Sequence, residues 1–165
     1  MTERQQTPMI KAIVSDFSKV VLLPVNDQYT GGLNALYRDL KSQNQLDFWR
    51  YFLLNRDLLE WYTVLSERVD LYLFTAEYIQ EDPAVSNELG IFKEIFSAAR
   101  LNLKKDEPQA YATIADMIGV SPEQLLYVDD KQQNCDAAKQ ARLFVVRYES
   151  NEQIVRDVGK FCAYP

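Results

Sequence analysis

Four short apolar runs recur along this chain, separated by longer stretches in which apolar and polar residues are mixed. Their positions are 10–15, 69–74, 125–128 and 143–148. Runs of this length that are bounded by polar or turn-forming residues are typical of buried β-strands. We therefore predict four buried strands, each ending close to a polar side chain.

The stretches between these runs have the periodicity of amphipathic helices. Apolar residues fall at i, i+3, i+4 and i+7 over residues 58–65, and again over 111–118 before Gly119, a typical helix stop. A last helix is predicted from near Glu152 to Phe161, with Asn151 as its candidate cap. Its predicted inward face consists of Ile154, Val155, Val158 and Phe161. Alternating strands and helices predict an α/β fold, a three-layer Rossmann-like parallel sheet with right-handed crossovers and helices on both faces.

The segment from about 24 to 55 is too long for a simple link between a strand and a helix. It contains an amphipathic stretch at 33–40 and a second predicted helical piece from Leu46 to Leu54. We interpret it as a small helical cap insert over the carboxyl edge of the sheet. The alternative is a helical hairpin packed on the side of the core. Its aromatic residues would line a pocket or, as we expect for most of them, fill a core.

The composition narrows the class of protein. A length of 165 residues and a hydrophobic content of 47% suit one domain, residues 1–165, with the small insert. The net charge is −6, with 18 basic and 24 acidic residues interspersed, which disfavours nucleic acid as the partner. A polar beginning and no apolar run of about eighteen residues predict neither a signal peptide nor a membrane span, so a cytoplasmic protein is expected.

The chemistry that the chain can perform is limited by its residue types. It contains no histidine, which excludes Ser-His and Cys-His catalysis and the usual zinc sites. Cys135 and Cys162 lie in separate segments without metal-ligand spacing. Any reaction must therefore depend on carboxylates, lysine, hydroxyls, backbone amides and a metal.

Acidic residues follow two of the predicted strands directly. Asp16 comes after the first, and the pair Asp129-Asp130 comes after the run at 125–128. The carboxyl ends of parallel strands converge on one crevice, so these distant acids are expected to share a site. Grouped carboxylates repel each other unless a hard cation lies between them, and Mg²⁺ is the usual choice near phosphate. The sequence therefore predicts a magnesium site.

Two further features complete a set suited to phosphoryl transfer. Thr75 follows the second strand, and Lys104-Lys105 precede a helix. A carboxylate can attack phosphorus, while a hydroxyl and a lysine hold the phosphate oxygens. Each residue alone has an ordinary structural explanation, as a cap, a strand residue or a solvated lysine. Their joint occurrence at strand ends, in this order, favours one site.

These features together resemble the motifs of the haloacid dehalogenase-like (HAD) superfamily hydrolases, from Ile10 to about Tyr148. The resemblance implies a HAD-like fold in which Asp16 is the nucleophile and first metal ligand. It also implies that Thr75 is the phosphate-binding hydroxyl. The Pro-x-Ala-Tyr run at 108–111 sets a register that assigns the family's lysine to Lys105, with Lys104 as the alternative.

The most specific match is the stretch 127–138, which is similar to the family's fourth motif. Here the resemblance implies that Asp130 binds Mg²⁺ and that Asp129 supports it or reaches Lys105. Asn134 would hold the loop of this motif, reach the substrate site or only cap a helix.

The chain departs from the family pattern at its first motif. Family phosphatases carry Asp-x-Asp, the second Asp serving as general acid and then base, whereas this chain has Ser18. Loss of such a group typically costs about a hundredfold to ten-thousandfold in rate. The next position, usually glycine, is Lys19. Ser18 can still offer its backbone carbonyl to a metal and contact the substrate.

Three functions remain open at this point. The first is a Mg²⁺-dependent phosphatase or phosphotransferase that forms an aspartyl-phosphate on Asp16 and acts on a small phosphorylated molecule. The second is a hydrolase of carbon–halogen or carbon–phosphorus bonds, whose family members also lack the second Asp. The third is a binding or regulatory protein with little turnover, which Ser18 and Lys19 favour. The sequence does not indicate the substrate or the oligomeric state.

Overall fold

Within residues 9–162, the part of the chain that the computed structural model describes, five parallel strands form a central sheet and two further strands form an antiparallel pair. The strands are β1 (Ala12–Ser15), β2 (Leu22–Pro24), β3 (Phe52–Leu54), β4 (Asp70–Thr75), β5 (Glu94–Ser97), β6 (Leu125–Asp129) and β7 (Phe144–Arg147). The order in the central sheet is β5-β4-β1-β6-β7, and the separate pair is β2-β3. The predicted domain ends at residues 1 and 165, and most of the polar beginning, lie outside the described residues.

The helices that surround this sheet cover both of its faces. They are α1 (Leu33–Ser42), α2 (Phe48–Tyr51), α3 (Arg56–Leu65), α4 (Pro83–Ser86), α5 (Ala98–Leu101), α6 (Pro108–Ile118), α7 (Gln132–Gln140) and α8 (Asn151–Gly159). Short 3₁₀ turns lie at Ile79–Glu81 and Pro122–Gln124. Between residues 9 and 162 no helix has the length and apolar character needed to cross a membrane.

The three central strands of the sheet, β1, β4 and β6, are buried on both sides, which explains their mainly apolar character. In β1, Ile13 packs into a core that also contains residues of α1, α3 and α8, while Val14 packs into a second core with α6 and α7. The predicted three-layer α/β arrangement is therefore confirmed. The neighbours of β1 are β4 and β6, so the carboxyl ends of these three strands lie side by side.

Strand β5 was not predicted from the sequence. It lies at one edge of the sheet, pairs only with β4 among the described strands, and begins at the exposed Glu94. Ile95 and Phe96 are its two apolar residues, which make a run too short to stand out from the surrounding polar segment. An edge strand with one paired side needs less apolar surface than a central strand, because part of it faces solvent.

The predicted helix from Leu46 to Leu54 is wrong in its second half. Helix α2 ends at Tyr51, and the next three residues form β3, which pairs with β2 in the register Leu22 with Leu54. Within β3, Phe52 and Leu54 are buried while Leu53 is exposed, the alternation of a strand with one covered face. The β2-β3 pair thus brackets α1 and α2.

The last helix differs from its prediction in three details. Its cap is Ser150, whose hydroxyl accepts a hydrogen bond from the Gln153 amide, so Asn151 is already the first helical residue. Ile154 and Val158 are buried as predicted, whereas Val155 is exposed. Phe161 lies beyond the end of the helix but still packs against the core.

Asn55 connects the end of the β2-β3 pair to this last helix. Its buried side chain donates to the Val20 carbonyl at 2.9 Å and to the Tyr148 hydroxyl at 3.0 Å. The same amide nitrogen lies 2.9 Å from Asn151 Oδ1, so its two hydrogens are shared among three acceptors, and Asn55 Oδ1 accepts from the Asn151 amide at 2.8 Å. Because one amide serves several groups, its loss removes a donor from the Val20 carbonyl and an acceptor from the Asn151 amide.

We expect Asn55→Ala to lower the free energy of unfolding by about 2 kcal/mol, since it removes a buried hydrogen-bonded amide. Urea unfolding followed by circular dichroism measures this change. Asn87→Ala, at an exposed position, is the matched control. Equal stability of the two variants would contradict the structural role given to Asn55.

Candidate active site

Three carboxylates meet at the carboxyl edge of the central sheet. Asp16 directly follows β1, Asp129 ends β6, and Asp130 follows it. The register pairs Ser15 with Val128, which places the first two acids on neighbouring strands at the same level. Carboxylate oxygens of the three residues lie within 4.8 Å of one another. The structure thus brings together the acids that the sequence placed at strand ends, and this acidic cluster could hold a metal.

Lys105 reaches the same cluster from the loop before α6. Its ammonium nitrogen lies 2.7 Å from Asp16 Oδ1 and 3.1 Å from Asp129 Oδ2, and it donates to the Phe74 carbonyl at 2.8 Å. The Tyr111 hydroxyl donates to the Lys105 carbonyl at 2.6 Å, which explains physically why the Pro-x-Ala-Tyr register selects this lysine.

Lys104, the alternative lysine, has a different environment. Its side chain is 73% exposed and pairs with Glu107 at 3.1 Å. It lies at the rim of the cavity above the acids, whereas Lys105 is buried beneath it.

Asp129 is surrounded by hydrogen-bond donors. Its Oδ2 accepts from the Tyr127 hydroxyl and from the Asn134 amide, the latter at 2.9 Å, while its Oδ1 accepts from the Lys131 backbone at 2.8 Å. Asn134, in the first turn of α7, therefore holds the loop by orienting Asp129. Burial alone would raise the pKa of Asp129, but Lys105 and these donors outweigh burial and hold it below its ordinary value.

The carboxylate of Asp130 has fewer hydrogen-bond donors around it than that of Asp129. Its Oδ1 is buried and has no hydrogen-bond partner among residues 9–162. Burial and the neighbouring Asp129 raise its pKa above the ordinary value. A buried carboxylate oxygen without a donor is costly, and a cation is one of the few groups that can satisfy it.

The charges of the site also favour a bound cation. Burial, followed by repulsion from Asp129, raises the pKa of Asp16 to about 7. Burial lowers the pKa of Lys105, yet Asp16 and Asp129 outweigh this effect and raise it overall. Three neighbouring carboxylates beside the single ammonium of Lys105, which contacts two of them, leave excess negative charge that a divalent ion bound by Asp16 and Asp130 would offset. The donor set is all oxygen, which suits Mg²⁺.

The hydroxyl of Thr75, predicted to bind phosphate, lies close to two backbone carbonyls. It lies within hydrogen-bond distance of the Glu77 carbonyl, at 3.3 Å, and of the Phe96 carbonyl, at 3.4 Å. The residue is buried and is not among the described residues that line the cavity. The phosphate-binding role of Thr75 stays a prediction.

Ser18 and Lys19, the two departures from the family pattern, both line the cavity. Lys19 has a φ of 62°, a left-handed conformation that favours glycine and is uncommon for lysine. Its ammonium donates to the Thr30 carbonyl at 3.2 Å. The backbone thus keeps the glycine-like geometry of this turn while adding a cation beside the acids.

The open cavity above the acids has a volume of about 510 Å³. Helix α1 contributes to its wall through Leu33, Asn34, Ala35 and Arg38. The loop after β4 adds Ala76 and Glu77. Asn34, Arg38 and Glu77 were not predicted as site residues from the sequence. The i, i+4 spacing of Asn34 and Arg38 on the polar side of the predicted insert helix was the available signal.

The sequence has a partial relative among known proteins. No family model matches the chain. Enolase-phosphatase E1 of Enterobacter sp. (strain 638) is 32% identical over 81 residues, 46% of this chain and 35% of that protein. The aligned part thus spans about a third of the curated relative, so the activity of that protein does not transfer directly.

Solved structures match over much more of the chain. A HAD family enzyme from Bacteroides thetaiotaomicron, in complex with magnesium and inorganic phosphate, has a TM-score of 0.63 at 13% identity, covering 86% of this chain and 96% of that one. A HAD-superfamily hydrolase of subfamily IA from Geobacter sulfurreducens has a TM-score of 0.65 at 16% identity, covering 90% and 99%. The chain therefore has the HAD-like fold, and the resemblance seen in its sequence is confirmed at this level.

The two acids of the β6 motif have different surroundings, which leads to a test of metal binding. We expect Asp130→Asn to weaken Mg²⁺ binding about tenfold or more, and more than Asp129→Asn, because Asp130 carries the free oxygen. Isothermal titration calorimetry measures both affinities, with the exposed Asp116→Asn as control. The reverse order would refute the assignment of Asp130 to the metal.

Proposed function

We propose that this protein is a Mg²⁺-dependent hydrolase or phosphotransferase that acts on phosphate esters through an aspartyl-phosphate on Asp16. The observation that carries the proposal is the buried acidic cluster at the floor of an open cavity. In it, Asp16 contacts the Lys105 ammonium and has a carboxylate oxygen within 4.8 Å of one of Asp130, whose Oδ1 has no hydrogen-bond partner among the described residues. A similar fold binding magnesium and phosphate, and a partial relative named as a phosphatase, support this choice.

The roles of the residues follow from their contacts. Lys105, at 2.7 Å from Asp16 Oδ1, orients the carboxylate and favours its ionised form. Asp16 attacks phosphorus, so an O–P bond forms on its carboxylate while the ester O–P bond breaks. Water then hydrolyses the acyl phosphate and regenerates Asp16. When bound by Asp16, Asp130 and the Ser18 carbonyl, Mg²⁺ supplies positive charge against the phosphate oxygens.

The proton for the leaving oxygen has no obvious protein source at the first motif. Ser18 stands where relatives in the family carry the acid, and a serine hydroxyl does not titrate near neutral pH. The proposed reaction therefore suits leaving groups that depart as stable anions or that take their proton from water. Poor leaving groups are expected to react slowly.

A second candidate is a binding or regulatory protein that keeps the fold and the metal but has little turnover. The specific observations in its favour are Ser18 and the left-handed Lys19 beside the acids. The carbon–halogen alternative is less well supported, because dehalogenation by an Asp nucleophile needs no metal, whereas the Asp130 oxygen calls for a cation.

The proposal is tested by phosphate release from a panel of phosphorylated metabolites, with Mg²⁺ or with EDTA. We expect turnover that requires Mg²⁺ and that falls about a thousandfold or more in Asp16→Asn, because the nucleophile is lost. Asp116→Asn is the matched control. Turnover that survives Asp16→Asn would contradict the aspartyl-phosphate, and inactivity of the wild-type protein on the whole panel would favour the binding protein.

The missing acid gives a separate prediction. We expect Ser18→Asp to raise turnover of esters with poor leaving groups by about a hundredfold, since it restores a titrating group, and to change little for p-nitrophenyl phosphate. Ser18→Asn has nearly the same shape without the proton and serves as the control. If both variants behave alike on alkyl phosphates, loss of the acid is not the limiting defect.

A further inference from the structure

Helix α1 presents two polar side chains to the cavity above the acids. Asn34 and Arg38 are four residues apart, which places them on one side of the helix, and both line the cavity. Leu33, Tyr37 and Leu40 are buried and fix the helix against the core. The Tyr37 hydroxyl adds a hydrogen bond to Asp82 Oδ2 at 2.8 Å. The two side chains therefore stand on a rigid support.

Arg38 is paired with Glu77, another residue that lines the cavity. One of its terminal nitrogens pairs with the Glu77 carboxylate. The loop that carries this carboxylate is fixed, because the Glu77 backbone carbonyl accepts from Ser97 and Gln80, both at 2.8 Å. The pair is partly exposed, so it contributes little stability, and the guanidinium keeps further donors for a ligand.

Asn34 supplies a second, independent observation. Its side-chain oxygen Oδ1 is buried and finds no hydrogen-bond partner in the part of the chain that the structure describes. A buried acceptor of this kind is usually satisfied by a protein group, water or a ligand. Because Asn34 lines the cavity, rotation of its side-chain amide can turn Oδ1 toward a hydroxyl or amine of a bound molecule, which then supplies the missing donor.

The charges around the outer part of the cavity favour an anion. Apart from Asp16, Lys105 and Asp130, its charged lining residues are Lys19, Arg38, Lys104, Lys131, Glu77 and Asp106. Four cations stand against these two carboxylates and Glu107, which pairs with Lys104, so the rim keeps a small positive excess although the whole chain has a net charge of −6. A local positive rim on an acidic protein attracts negatively charged groups to this place.

We propose that Asn34 and Arg38 select the substrate, and that the half of the substrate beyond the transferred phosphate carries a second anionic group together with a hydroxyl or amine. Arg38 binds the anionic group, a carboxylate or a phosphate, through paired hydrogen bonds. Asn34 accepts from the hydroxyl or amine. This inference rests on the proposed function, since it concerns the substrate of the same site.

The test compares matched ligands by isothermal titration calorimetry with the Asp16→Asn protein and Mg²⁺, so that no turnover occurs. One pair is 6-phosphogluconate and sorbitol 6-phosphate, two open-chain molecules that differ in a carboxylate. The other is fructose 1,6-bisphosphate and fructose 6-phosphate, which differ in a phosphate. We expect the ligand with the second anion to bind about tenfold more tightly in at least one pair. The pair that shows the preference identifies the anion.

Adding Arg38→Gln should reduce this preference to less than twofold, whereas Arg56→Gln should leave it unchanged. Arg56 is a matched control because it is exposed and pairs with Glu88 away from the cavity. Adding Asn34→Ala should weaken all four ligands alike, since each carries hydroxyls. Circular dichroism of each variant checks its folding.

The proposal is overturned if neither pair shows a preference, if none of the ligands binds, or if Arg38→Gln weakens both members of a pair equally. The last result would mean that Arg38 only links α1 to the loop after β4 and does not recognise the substrate. Failure of the proposed function looks different: the wild-type protein would release no phosphate from the panel while the Arg38-dependent preference persisted.

Discussion

The buried ammonium of Lys105 is the interaction on which the site depends. Buried carboxylates must be paired, and Lys105 contacts both Asp16 and Asp129 while its position is fixed by the Phe74 carbonyl. With Asp129 saturated by its own donors, the remaining negative charge is concentrated between Asp16 and the free oxygen of Asp130. A cation bound by this cluster would lie next to the carboxylate proposed as nucleophile.

The central sheet and the insert contribute different parts of the site. The ends of β1, β4 and β6 position the charged groups suited to phosphoryl transfer, and these positions follow from the register of parallel strands. Helix α1 closes one side of the cavity with polar residues that belong to no family motif. In this account the sheet edge determines the reaction, and the insert determines which molecules undergo it.

Much of this could be predicted from the sequence, because the signals were strong and local. Central strands are apolar throughout, and the acids follow them directly, so both the sheet and the acidic cluster could be anticipated. Strand β5 was missed because an edge strand needs few apolar residues. The end of the predicted helix at Leu54 was wrong because β3 owes its conformation to pairing with β2, a tertiary contact. The rotamer of Thr75 and the cavity-facing position of Arg38 also depend on neighbours distant in sequence.

The central claim is that Asp16 accepts a phosphoryl group with a divalent ion beside it, and it can be tested without knowing the substrate. Beryllofluoride mimics a phosphoryl group on an aspartate, and ¹⁹F nuclear magnetic resonance detects its bound form. The account predicts bound resonances for the wild-type protein only when Mg²⁺ is present, and none for Asp16→Asn. Bound resonances that persist in Asp16→Asn, or their complete absence from the wild-type protein with Mg²⁺, would contradict it.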